Sequence, residues 1–271
     1  MSCAPAPKPA PAPAPEQVPV RGEILRAPSL TRVEGFADHL EITWRTFRRE
    51  HDIVRGYDVY VSNLAGLSQL PDGDSNLRIS LYGGASFPGD TDGIVDSESI
   101  RIAPVEMGRR YYVHVRTVSA DGHQGPASEE RDVIARPRGT LTIHPRFSST
   151  DDGFAFASDR NVPCMSDSND MYLFVVTDEL YLGSPSRLNS ALRGTRFTPL
   201  GASASIDDYP TCQEPSGGSD KIAIQYGESI LVVTMEGTKA KLRPRETLGG
   251  GDSIAVIFDY IFQPIPGELR F

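Results

Sequence analysis

The chain has 271 residues, of which 39% are hydrophobic and 23% charged, and its formal net charge is -9 at pH 7. This acidic balance argues against nucleic-acid binding, because phosphate recognition needs a concentrated lysine and arginine surface. The longest apolar stretches, 173–177 and 254–262, have the length of strands and fall short of the roughly 20 residues that a membrane-spanning helix needs. We therefore expect any membrane attachment to lie outside the folded part of the chain.

A cysteine and a proline-rich segment stand at the start of the sequence. Cys3 is followed by residues 4–15, in which proline occupies every second position. Each proline fixes its own φ and favours an extended conformation in the residue before it, so this segment is expected to form a stiff polyproline II spacer. A cysteine in front of such a spacer resembles the mature terminus of a bacterial lipoprotein, in which the thiol carries a lipid.

This resemblance implies that residues 1–27 form a tether that anchors the chain through Cys3 to the inner or outer membrane. The folded domains would then lie in the periplasm or at the cell surface. Only Met1 and Ser2 precede the cysteine, so we expect the signal peptide of a lipoprotein to be missing from this sequence. The alternative is an ordinary terminus in which the cysteine has no special role.

Residues 28–137 show short alternating strands separated by turn-rich loops, which is typical of an antiparallel β-sandwich. The alternation of apolar and polar residues predicts that Leu40, Ile42 and Trp44 share one face of a strand. The predicted strands of this region are 40–44, 56–61 and 111–119.

The same region resembles a fibronectin type III domain, which has an immunoglobulin-like arrangement of strands. The matching positions are Pro28, Trp44, Gly56-Tyr57-Asp58-Val59, and Tyr111 with Val113 and Val115. The resemblance implies that Tyr111 is the tyrosine-corner residue, whose hydroxyl bonds to backbone upstream. Bacterial modules of this family often act as spacers or interaction platforms.

Two loops of this region are candidate binding loops. In one of them Phe47 stands among arginines, and Arg48 and Arg49 carry the planar guanidinium that is favoured at contact sites. The other loop, 83–93, is longer and more acidic than the family usually has, and it contains Phe87. Phe87 is either an exposed anchor or a ring that covers the sandwich, and the arginine loop is otherwise a solvated loop.

Residues 138–271 are predicted to form a second β-sandwich, for which no family is recognised. Its predicted strands are 171–177, 221–226, 230–235, 239–242 and 253–262. The first is almost continuously apolar, which indicates burial on both faces. The second and third flank Gly227-Glu228 and predict a hairpin, and the fourth completes a meander. The predicted fold is therefore all-β, a tether followed by two β-sandwich domains.

Cys164 and Cys212 are the remaining cysteines, and both lie in stretches rich in proline, serine and aspartate. In an exported protein, an isolated pair of this kind predicts a disulfide. The bridge would close a loop of about 50 residues and stabilise the fold by roughly 4 kcal/mol in the chain-entropy treatment. The alternative is two unrelated buried thiols.

An acidic stretch of the second domain is the candidate metal site. The candidate calcium ligands are Asp159, Asp167, Asn169 and Asp170. Carboxylate and amide oxygens are the ligands that calcium prefers, although the spacing lacks the glycine and distal glutamate of an EF-hand loop. The alternative is a solvated acidic loop, and no other cofactor is expected.

These features predict a non-enzymatic, membrane-anchored lipoprotein that acts as a binding or structural module of the bacterial cell envelope. Its partner would be another envelope protein or a surface polymer, and the chain is a candidate subunit of a larger complex. The alternative is a glycan-processing enzyme or a carbohydrate-binding protein. For the latter the candidate stacking rings are Tyr172, Tyr181, Tyr209 and Tyr226.

Overall fold

The computed structural model describes residues 25–45, 54–71, 74–84, 87–88, 97–212, 217–250 and 254–271. Over these ranges the chain is all-β, as predicted. The strands of the first half are β1 (Ser29–Gly35), β2 (Leu40–Arg45), β3 (Val54–Ser62), β4 (Phe87–Pro88), β5 (Ser97–Ile102), β6 (Arg110–Ser119), β7 (Gln124–Ala127) and β8 (Arg131–Ile134). Those of the second half are β9 (Arg138–Ile143), β10 (Gly153–Ala155), β11 (Arg160–Val162), β12 (Met171–Val176), β13 (Glu179–Gly183), β14 (Arg196–Ala202), β15 (Lys221–Ala223), β16 (Glu228–Val233), β17 (Lys239–Leu248) and β18 (Ala255–Gln263).

Helical segments in the described ranges are short. They are α1 (Ser75–Ser80) and the 3-10 turns Leu67–Gln69, Tyr82–Gly84, Phe156–Ser158 and Pro185–Arg187. None of the helices found there is long and apolar enough to cross a bilayer.

The first core lies between two antiparallel sheets. One has the strand order β1-β2-β5 and the other β4-β3-β6-β7, with β8 also pairing with β6. The predicted inward face of β2 is confirmed, because Leu40, Ile42 and Trp44 are fully buried. The Trp44 ring packs edge-on against Tyr57 of β3, with ring centroids 5.3 Å apart.

Tyr111 of β6 makes the backbone contact that the resemblance implied. Its hydroxyl accepts a hydrogen bond from the backbone N–H of Glu106, five residues upstream, at 2.8 Å. The bond ties the loop before β6 to the start of that strand.

The second core lies between a front sheet, of order β11-β10-β12-β13-β15, and a back sheet, of order β14-β16-β17-β18-β9. Along β12, Met171 and Leu173 point into this core, whereas Tyr172 and Phe174 point to the outer face of the front sheet. All four side chains are buried, which confirms the prediction of a strand covered on both faces for residues 171–174, whereas Val175 and Val176 are exposed.

The prediction of a hairpin around Gly227-Glu228 is wrong. Strand β15 pairs with β13 in the front sheet, whereas β16 pairs with β14 and β17 in the back sheet. The N–H of Ile224 donates to the carbonyl of Leu180 at 2.9 Å, so the chain stays in the front sheet up to residue 224 and then crosses. The meander formed by the next two predicted strands is confirmed by the pairing of β16 with β17.

Charged side chains join the two halves of the chain. Arg110 of β6 donates to Asp132 at 2.6 Å and to Glu268 at 3.0 Å, and Arg270 donates to Asp132 at 3.3 Å. The segment after β18 therefore folds back against the first half. The predicted domain boundary at residue 137 stays a prediction, and the two cores fall on either side of it.

Candidate binding face

Several of the predicted site residues lie outside the described ranges. These are Cys3, Phe47, Arg48 and Arg49. Phe87 lies in β4, where its backbone pairs with that of Tyr57 in β3. Its loop therefore adds a short edge strand to the sheet.

The predicted calcium ligands are used by neighbouring protein groups or stand apart from one another. The carboxylate of Asp170 accepts hydrogen bonds from the N–H of Phe156 at 2.9 Å and from Nε of Arg193 at 3.0 Å. Burial raises the pKa of Asp170, and these two donors oppose that rise only in part.

Asn169 stabilises the loop between β11 and β12 through side-chain hydrogen bonds. Its Oδ1 accepts from the N–H groups of Phe154 and Met171 at 3.0 and 3.2 Å, and its Nδ2 donates to the carbonyl of Cys164 at 2.9 Å.

The other two candidate ligands lie apart from these. Asp159 accepts a hydrogen bond from the hydroxyl of Tyr260, and Asp167 is exposed. Within the described part of the chain, no three His, Cys, Asp or Glu side chains are grouped so that they could hold a metal ion. The loop is organised by its own hydrogen bonds.

The predicted Cys164–Cys212 disulfide is wrong, because both cysteines are free and buried. Cys164 packs against Tyr172 on the outer face of the front sheet. Cys212 donates its N–H to Leu269 and lies close to Lys241, whose side chain leaves the outer face of the back sheet. Stacked sheets lie roughly 10 Å apart, whereas a disulfide needs Cα atoms within about 7 Å, so two cysteines on opposite outer faces cannot meet.

An exposed aromatic ring stands at the edge of the front sheet, on the turn Pro145–Ser148. Phe147 is 69% exposed and has a φ of 65°, a left-handed conformation that non-glycine residues rarely adopt. Three hydrogen bonds hold the turn: Arg146 N–H to Leu173 O at 2.7 Å, Phe147 N–H to the buried Asp152 carboxylate at 2.6 Å, and Ser148 N–H to Pro145 O at 3.1 Å. The surrounding structure thus imposes a strained backbone that presents an apolar ring to solvent.

A row of aromatic rings continues from this turn across the outer face of the front sheet. Phe174 of β12 lies directly opposite Tyr181 of β13 in the strand pairing, and their rings stack with centroids 5.4 Å apart. Beside them, Tyr172 lies across Gly183, where an added β-carbon would come within 2.6 Å of the ring. Glycine at this position therefore leaves the space in which the Tyr172 ring packs.

Three basic side chains lie over these rings. The guanidinium of Arg146 is 5.8 Å from the Phe147 centroid and 5.6 Å from that of Phe174. Arg187 lies 5.9 Å from Phe174, and Lys221 of β15 lies 5.5 Å from Tyr181. All of these distances are within the range of cation–π attraction. We call this set the aromatic–basic face, and its members are Arg146, Phe147, Phe174, Tyr181, Arg187 and Lys221.

Three basic side chains and the carboxylates of Asp220 and Glu179 lie at the aromatic–basic face, and Glu179 accepts a hydrogen bond from the Tyr181 hydroxyl at 2.5 Å. Arg187 pairs with Asp220 at 2.9 Å, whereas no carboxylate in the described ranges pairs with Arg146 or Lys221. Desolvation lowers the pKa of Arg187, but its contacts with Asp220 and Tyr172 leave that pKa above its ordinary value. The face therefore holds two positive charges that have no acidic partner in a chain of net charge -9.

The sequence-based search found part of this face. Of the predicted stacking rings, Tyr181 belongs to it and Tyr172 is buried beneath it. Tyr209 donates its hydroxyl to the carbonyl of Ala202 at 2.8 Å, and Tyr226 is exposed elsewhere. Phe147 and Arg146 were missed, although the adjacent Pro145 is a turn signal that could have drawn attention to them.

Comparisons with known proteins give little further information. No protein-family model and no curated protein matches the chain. Among solved structures, one titled "Myokine structure" aligns with 23% identity over 41% of this chain and 99% of its own, with a TM-score of 0.28. A Yersinia enterocolitica Family 28 exopolygalacturonase aligns with 13% identity over 48% of this chain and 23% of its own, with a TM-score of 0.27. Neither similarity is close enough to support a conclusion about fold or function.

Proposed function

We propose that the protein is a non-enzymatic, lipid-anchored binding module of the bacterial cell envelope, and that the aromatic–basic face holds its partner. The observation that carries this proposal is Phe147. Its ring is largely exposed, and its backbone is kept at a φ of 65°. Strained residues of this kind cluster at functional sites, where the surrounding structure enforces a conformation that the residue alone would avoid.

Residues 1–27, the proposed tether, support the part of the proposal that places the chain at a membrane of the cell envelope. A lipid on Cys3 would fix the chain to a membrane, and the proline-rich segment would hold the folded part away from it. At about 3.1 Å per residue, a polyproline II chain from Cys3 to Val20 spans roughly 50 Å. This reach is enough to leave the aromatic–basic face accessible to a partner.

We also assign residues 28–137 to the fibronectin type III family, as the spacer or platform of the module. Three features support the assignment: the facing sheets of three and five strands, the buried Trp44 on β2, and the hydroxyl bond of Tyr111. In this arrangement the second half carries the recognition.

Membrane fractionation and cross-linking in the native envelope test the proposal. We expect the wild-type chain to fractionate with membranes and Cys3→Ser to be released. We also expect a cross-linked partner that is recovered with the wild-type chain and with Met235→Ala, but is lost with Phe147→Gly. Met235 is a matched control, because it is 67% exposed and lies outside the aromatic–basic face. Equal recovery from all three chains would contradict the proposal.

The second candidate is a carbohydrate-binding or glycan-processing envelope protein. The exposed ring of Phe147, at the end of the aromatic row, favours sugar binding, because flat aromatic surfaces suit the apolar faces of sugar rings. Glycan processing would require that the purified chain cleave the polymer it binds, and the release of reducing ends measures this.

A further inference from the structure

We infer that the aromatic–basic face binds an extended acidic glycan, a polymer of sugar residues that carry carboxylates. The polymer would lie across the outer face of the front sheet, from Phe147 over β12 and β13 toward Lys221. This inference rests on the proposed function and names the chemical class of the partner.

The row is continuous across the sheet. One guanidinium, that of Arg146, contacts both the Phe147 and the Phe174 rings, and Phe174 stacks on Tyr181, over which Lys221 lies. Because β12, β13 and β15 are neighbours in the sheet, the row runs perpendicular to the strands, and each step is about 4.8 Å. A linear row of rings and cations suits a repeating polymer better than a compact ligand.

The positive charges of Arg146 and Lys221 favour a polymer that carries negative charges. Arg146 and Lys221 have no carboxylate partner among the described residues, so an incoming anion does not have to displace one. A guanidinium matches the planar carboxylate with two parallel hydrogen bonds, and such charge-assisted bonds are about twice as strong as neutral ones. Sugar C–H groups between the carboxylates would meet the exposed ring of Phe147, whereas the faces of Tyr181 are occupied by Phe174 and Lys221.

The same features disfavour a protein partner. The centre of a protein–protein interface is depleted in charged residues, apart from arginine, and has an apolar core. Here Phe174 is only 5% exposed, and the guanidinium groups of Arg146 and Arg187 lie close to its ring. The centre of the aromatic–basic face is therefore charged, and its largely exposed apolar ring, Phe147, lies at one end.

Calorimetric titration of the purified full chain with a defined oligogalacturonate tests the inference. The neutral comparison is the same oligomer with its carboxylates methyl-esterified, and a sulfated glycan tests whether any polyanion suffices. We expect the oligogalacturonate to bind and the esterified oligomer to bind at least about tenfold more weakly, because it cannot accept the charge-assisted bonds. We also expect added salt to weaken binding, because it screens exposed charges.

Single substitutions locate the binding site. We expect Arg146→Gln to raise the Kd about tenfold and Phe147→Gly to raise it about fivefold. The matched controls are Arg101→Gln, which removes the same charge from a 60% exposed side chain of the first half, and Met235→Ala. Both should bind like the wild-type chain, and the melting temperature of every variant shows whether it is folded.

The possible results separate the two proposals. Equal binding of both oligomers, stronger binding of the sulfated glycan, or equal loss in Arg146→Gln and Arg101→Gln would overturn the inference. If no glycan binds but the partner cross-linked in the envelope still depends on Phe147, the inference fails and the proposed function stands, with a protein as the partner. If that dependence is also absent, the proposed function fails as well.

Discussion

Phe147 occupies the left-handed region of backbone conformation, where a β-carbon approaches the following carbonyl at a cost of roughly 1–2 kcal/mol. Phe147→Gly removes the ring and the β-carbon, whereas Phe147→Ala removes only the ring. We expect the glycine variant to be the more stable of the two by about 1 kcal/mol, after allowing for the greater freedom of glycine in the unfolded chain. Urea unfolding of both variants measures the difference. Equal stabilities would show that the turn holds no strain.

The stability and the binding affinity of Phe147→Gly together show whether the Phe147 ring serves recognition or stability. If the glycine variant is at least as stable as the wild type but binds less tightly, the ring serves recognition at the expense of stability. A ring whose removal costs stability and leaves binding unchanged would have a structural role.

Lys241 gives a prediction for pH dependence. Its ammonium is buried behind the back sheet and donates to the carbonyl of Tyr209 at 3.3 Å. Burial lowers the pKa of Lys241 from 10.5 to about 8. Between these values the unfolded chain binds more protons than the folded chain, so the contribution of Lys241 to the free energy of unfolding rises with pH. The Lys241→Met variant keeps the length of the side chain and lacks this rise.

The measurement is the difference in unfolding free energy between the wild type and Lys241→Met, at about pH 7 and about pH 9.5. Burial also raises the pKa of the Cys164 thiol from 9.0 to about 11. The contribution of this thiol to the free energy of unfolding falls with rising pH, because above pH 9 the unfolded chain loses the thiol proton before the folded chain does. Since both chains contain Cys164, its effect cancels in the difference. A difference that stays constant over this range would contradict the prediction.

At the scale of elements, one side chain secures the connection between β11 and β12. Asn169 bonds to two backbone N–H groups and one carbonyl, and it is fully buried. We expect Asn169→Ala to destabilise the fold by about 2–4 kcal/mol, because it leaves buried backbone groups without partners. Thermal unfolding measures this loss.

Asp167→Ala is the matched control in the same loop, and as an exposed change it should alter stability by less than about 0.5 kcal/mol. The same pair of variants tests the calcium prediction. If added calcium raises the melting temperature of the wild type but not that of Asp167→Ala, then the loop binds the ion and our account of it is wrong.

Eight of the 18 strands in the described ranges were predicted from the sequence, whereas most of their partners were not. Alternation identified the inward face of β2, and a continuous apolar run identified β12, because both patterns are local. The pairing of β15 with β13 depends on residues about 40 positions apart, and no local signal distinguishes it from the hairpin expected at Gly227-Glu228.

All of the aromatic–basic face except Tyr181 escaped prediction for the same reason. Arg146, Phe174 and Lys221 lie far apart in sequence and meet only because β12, β13 and β15 are neighbours and the Pro145–Ser148 turn joins them. The arginine cluster at 45–52 attracted attention because its members are adjacent. Composition indicates local clusters, while the register of the sheet decides which distant residues share a surface.

At the scale of the molecule, the segment after β18 links the two halves. Glu268 accepts from Arg110 at 3.0 Å and from Arg270 at 3.2 Å, and Arg110 also donates to Asp132. The bond from Arg270 lowers the pKa of Glu268 below its ordinary value of 4.5, although burial partly opposes this. The stabilisation from Glu268 is therefore present above about pH 4.5 and is lost as the pH falls through the lower, folded-state value.

We expect Arg110→Gln to loosen this segment at neutral pH while leaving both cores intact. The N–H groups of Cys212 and Phe271, which bond to Leu269 and Pro210, should then exchange with solvent faster. Amides of β17 and β18 should keep their wild-type rates, because those strands pair within the back sheet. Arg101→Gln, which disrupts an exposed ion pair of the first half, is the control and should change neither set.

Acid provides a second test of the same linkage. Protonation of Glu268 removes the charge that faces Arg110, so the difference in amide exchange between the wild type and Arg110→Gln should shrink as the pH falls through the folded-state pKa of Glu268. If the amides of Cys212 and Phe271 keep wild-type protection in Arg110→Gln, then apolar packing alone holds the segment. In that case the ion pairs of Glu268 would not stabilise the contact between the two halves, and that contact would not depend on the charge of Glu268.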